Sequence, residues 1–445
     1  MAFKIVFTVL AIALAIGLGL GAALDVSQAW DVWAYHLPFA ARLVGIADAG
    51  SYAFSAENAA RFAGFPLVAE ALQGLFWRLT GRPESANFVA LSSLFALVGY
   101  LTRVHRVPAA VALLAFLGIP LVQTHATGCY IDLPSNVCAV LLLLTVYRGV
   151  VRREQVTLQA LVLAALAANM KFQLLPIVVV ALGVLFLFSQ RRWMLVLAVP
   201  IVLATPIKNV VMHHNPVWPV EVHALGIDFP YAETAYASSP VYLEKVSRPQ
   251  RFAWSVLEVG LAPIESQRRW SVDQYTPPSE PGYRMGGFFG AYVAVNLAAL
   301  LAYAAWKRSR AALLAVAFVG GATAVTCMLP QSHELRYYLY WMLLLVSMNL
   351  ALWAPEFPRA TGLVAACACA VVLWGTSARY VYPSGDSFAT LVHDKVDRAL
   401  LDRAAPGQPL CVAREPWTFL YAPMFHPERP PYTVQEATRE SECTR

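Results

Sequence analysis

Four short polar segments interrupt an otherwise apolar chain, and they hold the residues that could do chemistry. The first follows a long apolar run and places the carboxylate of Asp31 five residues before the imidazole of His36, with aromatic residues between them. An ionised carboxylate gains little at the edge of an apolar segment unless it has a partner or a chemical task. We therefore predict a catalytic role for Asp31. For His36, catalytic and structural roles are equally open.

The second segment contains Asp132, which lies two residues before Pro134. Asp is a favoured helix-capping residue and Pro is tolerated in the first turn, so this spacing predicts the start of a helix. A capping carboxylate at the mouth of a helix bundle also faces any cavity that lies there. A capping role and a catalytic role for Asp132 are both compatible with the sequence.

The third and fourth segments supply cations. Lys171 and Lys208 lie at the ends of apolar runs, where a lysine either snorkels to lipid headgroups or faces a polar cavity. Arg336 follows His333 and Glu334 in a short polar loop, and a guanidinium binds phosphate oxygens bidentately and stays charged in low-dielectric surroundings. These cations predict a phosphate site, although a surface ion pair of Glu334 with Arg336 would also fit the loop.

The composition indicates a membrane protein. Of the 445 residues, 58% are hydrophobic and 13% are charged, whereas about a quarter of the residues in soluble domains are charged. The net charge is +6, but most basic residues form short clusters between apolar runs, as the positive-inside rule describes, and nucleic-acid binding is not expected. The chain lacks a Gly-rich phosphate loop, a His-Glu-x-x-His zinc motif and a Gly-x-Ser-x-Gly elbow, which argues against nucleotide-driven and serine-hydrolase chemistry.

Apolar runs predict about eleven transmembrane helices. The first, residues 5–24, is interpreted as a retained span because it is longer than the apolar region of a signal peptide. The other runs lie at about 86–102, 107–122, 133–150, 157–171, 174–190, 193–210, 286–306, 311–329, 337–354 and 360–378.

The run at residues 64–79 decides the topology. If it forms an amphipathic or re-entrant helix at the membrane surface, every arginine-rich loop falls on the side of Lys4, which is then the cytoplasmic side. We therefore predict a cytoplasmic N-terminus, an extracytoplasmic C-terminus and long outer loops at 25–85 and 211–285.

The predicted domain organisation is a transmembrane domain at 1–378 and a small extracytoplasmic domain at 379–445. In the second, a helix near residues 388–403 followed by a short strand predicts a small α/β unit. Cys411 and Cys443 lie in this tail, where a disulfide could persist, and the bridged and free states are both open.

With these residues placed, the chain resembles the C-type glycosyltransferase superfamily (GT-C), multi-span enzymes that use polyprenyl-phosphate sugars. The likeness covers about residues 1–350. It rests on the acidic motif after the first span (Asp31 with Tyr35-His36-Leu37-Pro38), on Asp132, on Asn215-Pro216-Val217-Trp218-Pro219 and on Arg336-Tyr337. The first motif lacks the paired Asp-Glu of several relatives, because Val32 follows Asp31.

The resemblance implies an all-α polytopic membrane architecture of the GT-C type and an inverting glycosyltransferase at the outer face. Asp31 would be the general base for an acceptor hydroxyl, and Asp132 and His36 are further catalytic candidates. Cations around the donor phosphate would stabilise the leaving group. The implied substrate-binding residues are Lys171, Lys208, His333, Glu334, Arg336 and Tyr337.

The implied donor is a polyprenyl-phosphate-linked sugar, and the acceptor is a glycan, a lipid or a protein. A divalent metal held by outer-loop carboxylates is required by some relatives and not by others, so a metal is possible here. The alternatives are a non-catalytic membrane scaffold, which would need no base, and a transporter or flippase of a lipid-linked saccharide. The transporter is disfavoured because polar residues gather at the outer ends of the spans and no internal repeat is visible. The Ala- and Arg-rich composition fits a bacterial inner membrane.

Overall fold

The protein is built mainly from α-helices that follow one another through short connections. The computed structural model describes residues 2–224, 226–234, 246–257, 288–413, 416–437 and 439–443. The helices of the described residues are α1 Ala2–Leu24, α2 Leu37–Leu43, α3 Ala56–Gly64, α4 Val68–Thr80, α5 Phe88–His105, α6 Ala109–Leu117, α7 Pro120–Ala126, α8 Asp132–Arg152, α9 Thr157–Met170, α10 Leu175–Phe188, α11 Arg192–Val202, α12 Ala204–His213, α13 Arg248–Leu257, α14 Phe288–Lys307, α15 Arg310–Cys327, α16 Leu339–Trp353, α17 Pro358–Gly375, α18 Phe388–Lys395 and α19 Arg398–Leu401.

Each of the eleven apolar runs contains a helix, but fewer helices are long enough to cross a membrane. Across the described ranges, five helices meet the length and apolarity needed, and the number rises to seven if each of two bent pairs counts as one span. The helices α9, α10 and α16 are apolar but shorter than the roughly 20 residues that cross the hydrocarbon core. The fold is thus a mainly helical, multi-pass membrane architecture, as predicted.

Proline explains why two predicted spans are broken. The pair α6 and α7 bends by 100° where α7 begins at Pro120, and the pair α11 and α12 bends by 49° between Pro200 and Pro206. Proline cannot donate the backbone hydrogen bond that continues a helix, so an apolar run that contains it divides into two shorter helices.

The basic clusters of the connecting loops gather at one end of the bundle, which we call the basic end. Arg152, the last residue of α8, donates to the carbonyl of Val104 near the end of α5 (3.5 Å), and Arg310 at the start of α15 donates to the carbonyl of Val150 (3.1 Å). The opposite end, which carries Asp31 and Asp132, is the site end. The positive-inside rule assigns the basic end to the cytoplasm, and this orientation stays a prediction.

The run at 64–79 forms α4, whose 13 residues are too few to cross a bilayer. It begins after Pro66 because the residue before a proline is restricted to extended conformations, and Phe65 is extended. The helix lies against α2 so closely that a Cβ on Gly74 would stand 2.5 Å from the carbonyl oxygen of Ala40.

The C-terminal tail packs on the first long loop through a small parallel sheet. Five short strands are described: β1 Tyr52–Ala53, β2 His223–Ala224, β3 Ile227–Asp228, β4 Pro409–Val412 and β5 Thr433–Glu436. The sheet order is β1-β5-β4, so the loop before α3 supplies one edge strand of the tail's sheet.

An aromatic core joins the same two regions, with Tyr52 of the loop 4.9 Å from Phe419 of the tail between ring centroids. The predicted helix at 388–403 divides into α18 and α19 because Asp397 caps the second. Cys411 and Cys443 are bridged by a disulfide. The domain boundary at 378/379 stays a prediction.

Candidate active site

A cavity of about 360 Å³ lies at the site end of the bundle. Its walls come from the turn before α2, the connection between α3 and α4, the start of α8, the connection between α9 and α10, residues 217–222 with Glu233, and the loop before α16. We call it the site cavity. The predicted site residues that line it are Asp31, His36, Asp132, Lys171 and Tyr337.

A wide helical turn presents the first acidic motif to the site cavity. Residues Val32–His36 form a π-helical turn, a geometry often found at functional sites. Asp31, Tyr35 and His36 all line the site cavity. The turn is anchored from behind by the buried Trp33, whose indole donates to the carbonyl of Ser27 (2.7 Å).

Asp132 and Lys171 form a buried ion pair, although they lie 39 residues apart in the chain. The helix-capping interpretation of Asp132 is wrong, because Ile131 is the N-cap residue of α8 and Asp132 is the first residue inside the helix. The helix instead holds the carboxylate at its N-terminus, toward the ammonium of Lys171. That ammonium also lies 4.0 Å from the ring centroid of Tyr337.

Asp31 and Arg336 form a second ion pair, with 2.7 Å between Oδ2 and Nη1. The guanidinium also lies 3.7 Å from the carboxylate of Glu334 and 5.0 Å from the ring centroid of Tyr337. Because Lys171 faces the same tyrosine ring, the two cations are no farther apart than the sum of their distances to it. A single phosphate can contact both.

The polar side chain of Asn136 ties the two ion pairs together. Its amide donates to the carbonyl oxygens of Asp132 (2.7 Å) and Arg336 (3.1 Å). Its carbonyl oxygen accepts from the backbone N–H of Tyr340 at the start of α16 (2.8 Å). A fully buried and fully bonded asparagine of this kind fixes α8 against the loop that carries Arg336.

His36 is held by Glu70, a residue without a predicted role. The Nδ1 atom of His36 lies 2.8 Å from Oε1 of Glu70, and both side chains are buried. A carboxylate on one ring nitrogen fixes the ring orientation and leaves the other nitrogen for chemistry. The signal in the sequence was the charge of Glu70 inside an otherwise apolar run.

Four predicted substrate-binding residues do not line the site cavity, and one of them, Arg336, reaches its wall through Asp31 and Tyr337. Lys208 donates to the carbonyl of Ala63 (2.6 Å) in the last turn of α3, where a lysine favourably meets the helix dipole. His333 packs toward α13, and its carbonyl accepts from Ser255 (3.2 Å). Burial, reinforced by the charge of Arg251, lowers the pKa of His333 to about 4, so this imidazole is neutral at pH 7. Glu334 contacts Arg336 without lining the cavity, and for all four a substrate role stays a prediction.

The segment that follows α12 covers one side of the site cavity and was recognised only in part. Trp218 of the predicted Asn-Pro-Val-Trp-Pro motif lies directly on α3, where a Cβ on Gly64 would stand 2.2 Å from its carbonyl oxygen. Farther along, Glu233 pairs with Arg61 of α3 (2.5 Å), and both Glu221 and Glu233 line the site cavity. These two glutamates were missed because they lie in a long loop whose path the sequence pattern does not indicate.

No three His, Cys, Asp or Glu side chains of the described ranges come together in a group that could hold a metal ion. Asp31 and Asp132, the carboxylates considered for such a role, each have a cation as partner. Whether the reaction uses a divalent metal stays open.

The arrangement of the whole chain is similar to the crystal structure of ArnT from Cupriavidus metallidurans bound to undecaprenyl phosphate. The likeness covers 98% of this chain and 90% of that chain, with a TM-score of 0.52 and 14% sequence identity. This chain therefore has the same fold as that protein. No family model matches the sequence, and no curated protein matches it. At this identity the likeness establishes the fold alone.

Proposed function

We propose that this protein transfers a sugar from a polyprenyl-phosphate carrier to an acceptor hydroxyl, with inversion, on the extracytoplasmic face of a bacterial inner membrane. The observation that carries the proposal is a pair of cations at the site cavity: Lys171 lines it, Arg336 pairs with Asp31 of its wall, and both face the ring of Tyr337. The GT-C fold supports it, because the structural relative ArnT has undecaprenyl phosphate bound.

The donor phosphate would bind between the two cations. Arg336 can offer two parallel N–H donors to phosphate oxygens, whereas Lys171 supplies a point charge. Both cations are bound to carboxylates in this structure. A phosphate that takes Arg336 from Asp31 would keep the guanidinium paired and release the Asp31 carboxylate into the site cavity. Donor binding would thereby prepare the base before the acceptor arrives.

The reaction would then proceed as a single displacement. The acceptor oxygen attacks the anomeric carbon from the side opposite the carrier phosphate and gives its proton to Asp31. The new carbon–oxygen bond forms as the bond between the anomeric carbon and the phosphate oxygen breaks. The electron pair of that bond leaves with the polyprenyl phosphate, whose added negative charge is stabilised by Lys171 and Arg336.

Asp132 and His36 have supporting roles in this scheme. Asp132 holds Lys171 in place through their buried ion pair. His36, fixed by Glu70, is the second candidate for the base, because it lines the same cavity as Asp31 and has one ring nitrogen that does not contact Glu70.

The proposal is tested by incubating the purified full chain with a panel of undecaprenyl-phosphate-linked pentoses and hexoses. Release of undecaprenyl phosphate, by hydrolysis or by transfer to added membrane lipids and glycans, is the readout, and NMR of the product gives its anomeric configuration. We expect release with at least one donor, inverted product and loss of activity in Asp31→Asn. Movement of labelled donors across proteoliposomes without any release would instead favour the flippase alternative, and absence of both binding and release would contradict the proposal.

A further inference from the structure

A second cavity lies at the basic end of the bundle, far from the site cavity. It has a volume of about 820 Å³ and is bordered by α1, the second half of α5, the start of α6 and the start of α17. Three cations line it: Lys4 in the first turn of α1, Arg106 directly after α5 and Arg359 in the first turn of α17. We call it the basic cavity.

The cations of the basic cavity have no carboxylate partner among the described residues. Lys4, Arg106 and Arg359 are exposed, and no Asp or Glu lines the cavity. In the described part of the chain none of the three forms an ion pair. The neighbouring carboxylates at this end are already engaged, since Glu154 pairs with Arg148 and Glu356 pairs with Lys307. The concave surface therefore attracts an anion.

Apart from the cations, the wall of the basic cavity is mostly apolar. It is formed by aliphatic and aromatic side chains, of which Ile12 and Phe95 remain 53% and 38% exposed. The hydroxyls of Thr8 and Thr102 on the wall donate to carbonyls of their own helices. A groove with cations at the membrane surface and an apolar wall that continues toward the bilayer centre matches a molecule with an anionic head and a hydrocarbon chain.

We propose that the basic cavity binds one anionic glycerophospholipid of the adjacent leaflet. Its phosphate would lie among Lys4, Arg106 and Arg359, and one acyl chain would follow the wall formed by α1 and α5. Basic pockets between transmembrane helices are suited to phospholipid head groups, and the volume falls within the usual range for small-molecule sites. A bound lipid would join α1, α5 and α17, three helices that are far apart in the chain, and would stabilise the bundle independently of the proposed enzymatic function.

The test uses the purified full chain in neutral detergent with added phosphatidylglycerol, phosphatidylcholine of the same acyl chains, or inorganic phosphate. Native mass spectrometry counts the bound lipids and gives the affinity, and thermal unfolding measures stabilisation, because a ligand that binds only the folded state raises the melting temperature. We expect one tightly bound phosphatidylglycerol and a higher melting temperature with it. Equal binding of phosphatidylcholine, or an equal effect of inorganic phosphate, would overturn the proposal.

A pair of matched variants separates a defined site from general attraction to anionic lipid. The triple variant Lys4→Gln, Arg106→Gln and Arg359→Gln should weaken phosphatidylglycerol binding, by roughly fivefold for each charge removed. The control variant Arg103→Gln, Arg153→Gln and Arg191→Gln removes as many exposed charges at the same end but outside the basic cavity, and should bind normally. An equal loss in the control would overturn the proposal.

A third variant keeps all three charges and blocks the apolar wall. Ala15 on α1 lines the basic cavity and is half-buried, so Ala15→Phe should displace an acyl chain. We expect it to reduce phosphatidylglycerol binding at least tenfold. Unchanged binding in Ala15→Phe would contradict the acyl-chain position even if the triple variant did not fold.

Discussion

The two ends of the helical bundle differ in how their charged residues are paired and exposed. At the site end Asp132 and Lys171, with side chains no more than 8% exposed, pair with each other, and Asp31 pairs with Arg336. At the basic end Lys4, Arg106 and Arg359 are exposed and line a cavity without a carboxylate. One end contains its own counter-ions, and the other presents a charge that an outside molecule can neutralise.

The difference follows from the cost of burial. A buried ion is strongly unfavourable unless a counter-ion and hydrogen bonds satisfy it, whereas an exposed ion at a membrane surface stays hydrated. The ion pairs at the site end therefore need several segments of the chain to converge. Asn136 bonds to the backbone carbonyls of Asp132 and Arg336, and the ring of Tyr337 contacts both cations. That convergence also positions reactive groups. The basic end needs only short loops rich in arginine.

The largest expected effect is the loss of transfer in Asp31→Asn. A positioned general base contributes about 10² to 10⁴ in rate, so turnover should fall at least a hundredfold while donor binding persists. Release of polyprenyl phosphate and donor binding are measured separately.

The matched control for Asp31 is Glu334→Gln. Glu334 also lies near Arg336 (3.7 Å) but does not line the site cavity, so its loss should reduce turnover much less. An equal loss in both variants would mean that Asp31 acts only through the charge of Arg336. Near-normal turnover in Asp31→Asn would move the base to His36 or Asp132.

The next effect concerns stability at the site end. Removing one partner of a buried ion pair leaves an uncompensated charge and typically costs about 3–5 kcal/mol, so Lys171→Met should lower the free energy of unfolding by about that amount. The double variant Asp132→Leu and Lys171→Met removes both charges and should recover most of the loss, while remaining inactive. Thermal unfolding in detergent provides the measurement. A double variant as unstable as the single one would show that Asp132 and Lys171 do more for stability than neutralise each other.

A smaller effect is expected for Arg336→Lys, which keeps the charge and removes the guanidinium fork. Hydrogen bonds to charged groups contribute about 1.5–3 kcal/mol, so donor affinity should fall by about tenfold or more, and acceptor affinity much less. Lys208→Gln is the control, because Lys208 contacts the carbonyl of Ala63 outside the site cavity. If Lys208→Gln weakens donor binding as strongly, the predicted phosphate role of Lys208 is supported, and the donor site extends beyond the site cavity.

The sequence indicated which charged residues would lie near the site cavity, but it did not indicate which of them would pair. Asp31, Asp132, Lys171 and Arg336 could be found because a charge at the end of an apolar run is costly without a purpose. Their pairing could not be predicted, since Arg336 lies 305 residues from Asp31 and Lys171 lies 39 residues from Asp132. Which charges meet depends on how the helices pack, and helix periodicity carries no information about that.

The fold shows the same division between local and long-range information. Hydrophobicity located each of the eleven helical regions, but their lengths depend on local breaks such as those near Pro120 and Pro206. The helix and strand of the tail were also predictable. The edge strand Tyr52–Ala53, which completes the tail's sheet from a distant loop, was not, because a two-residue strand has no pattern of its own.

The smallest expected effect is a pH dependence that arises outside both cavities, at His333. Burial and the charge of Arg251 lower the pKa of His333 to about 4 in the folded protein, against about 6.5 for an unperturbed histidine. Between these two pH values the unfolded chain binds a proton at this position and the folded protein does not. The free energy of unfolding therefore decreases as the pH falls from about 6.5 to about 4, and the contribution of His333 stays constant below that range.

His333→Gln removes the titrating group, so its melting temperature should fall less than that of the parent protein between pH 7 and pH 5. The control is His393→Gln, since the His393 side chain is 81% exposed and its surroundings change little on unfolding. If the melting temperatures of both variants depend on pH as that of the parent protein does, His333 is solvated in solution and its packing against α13 is looser than the structure shows.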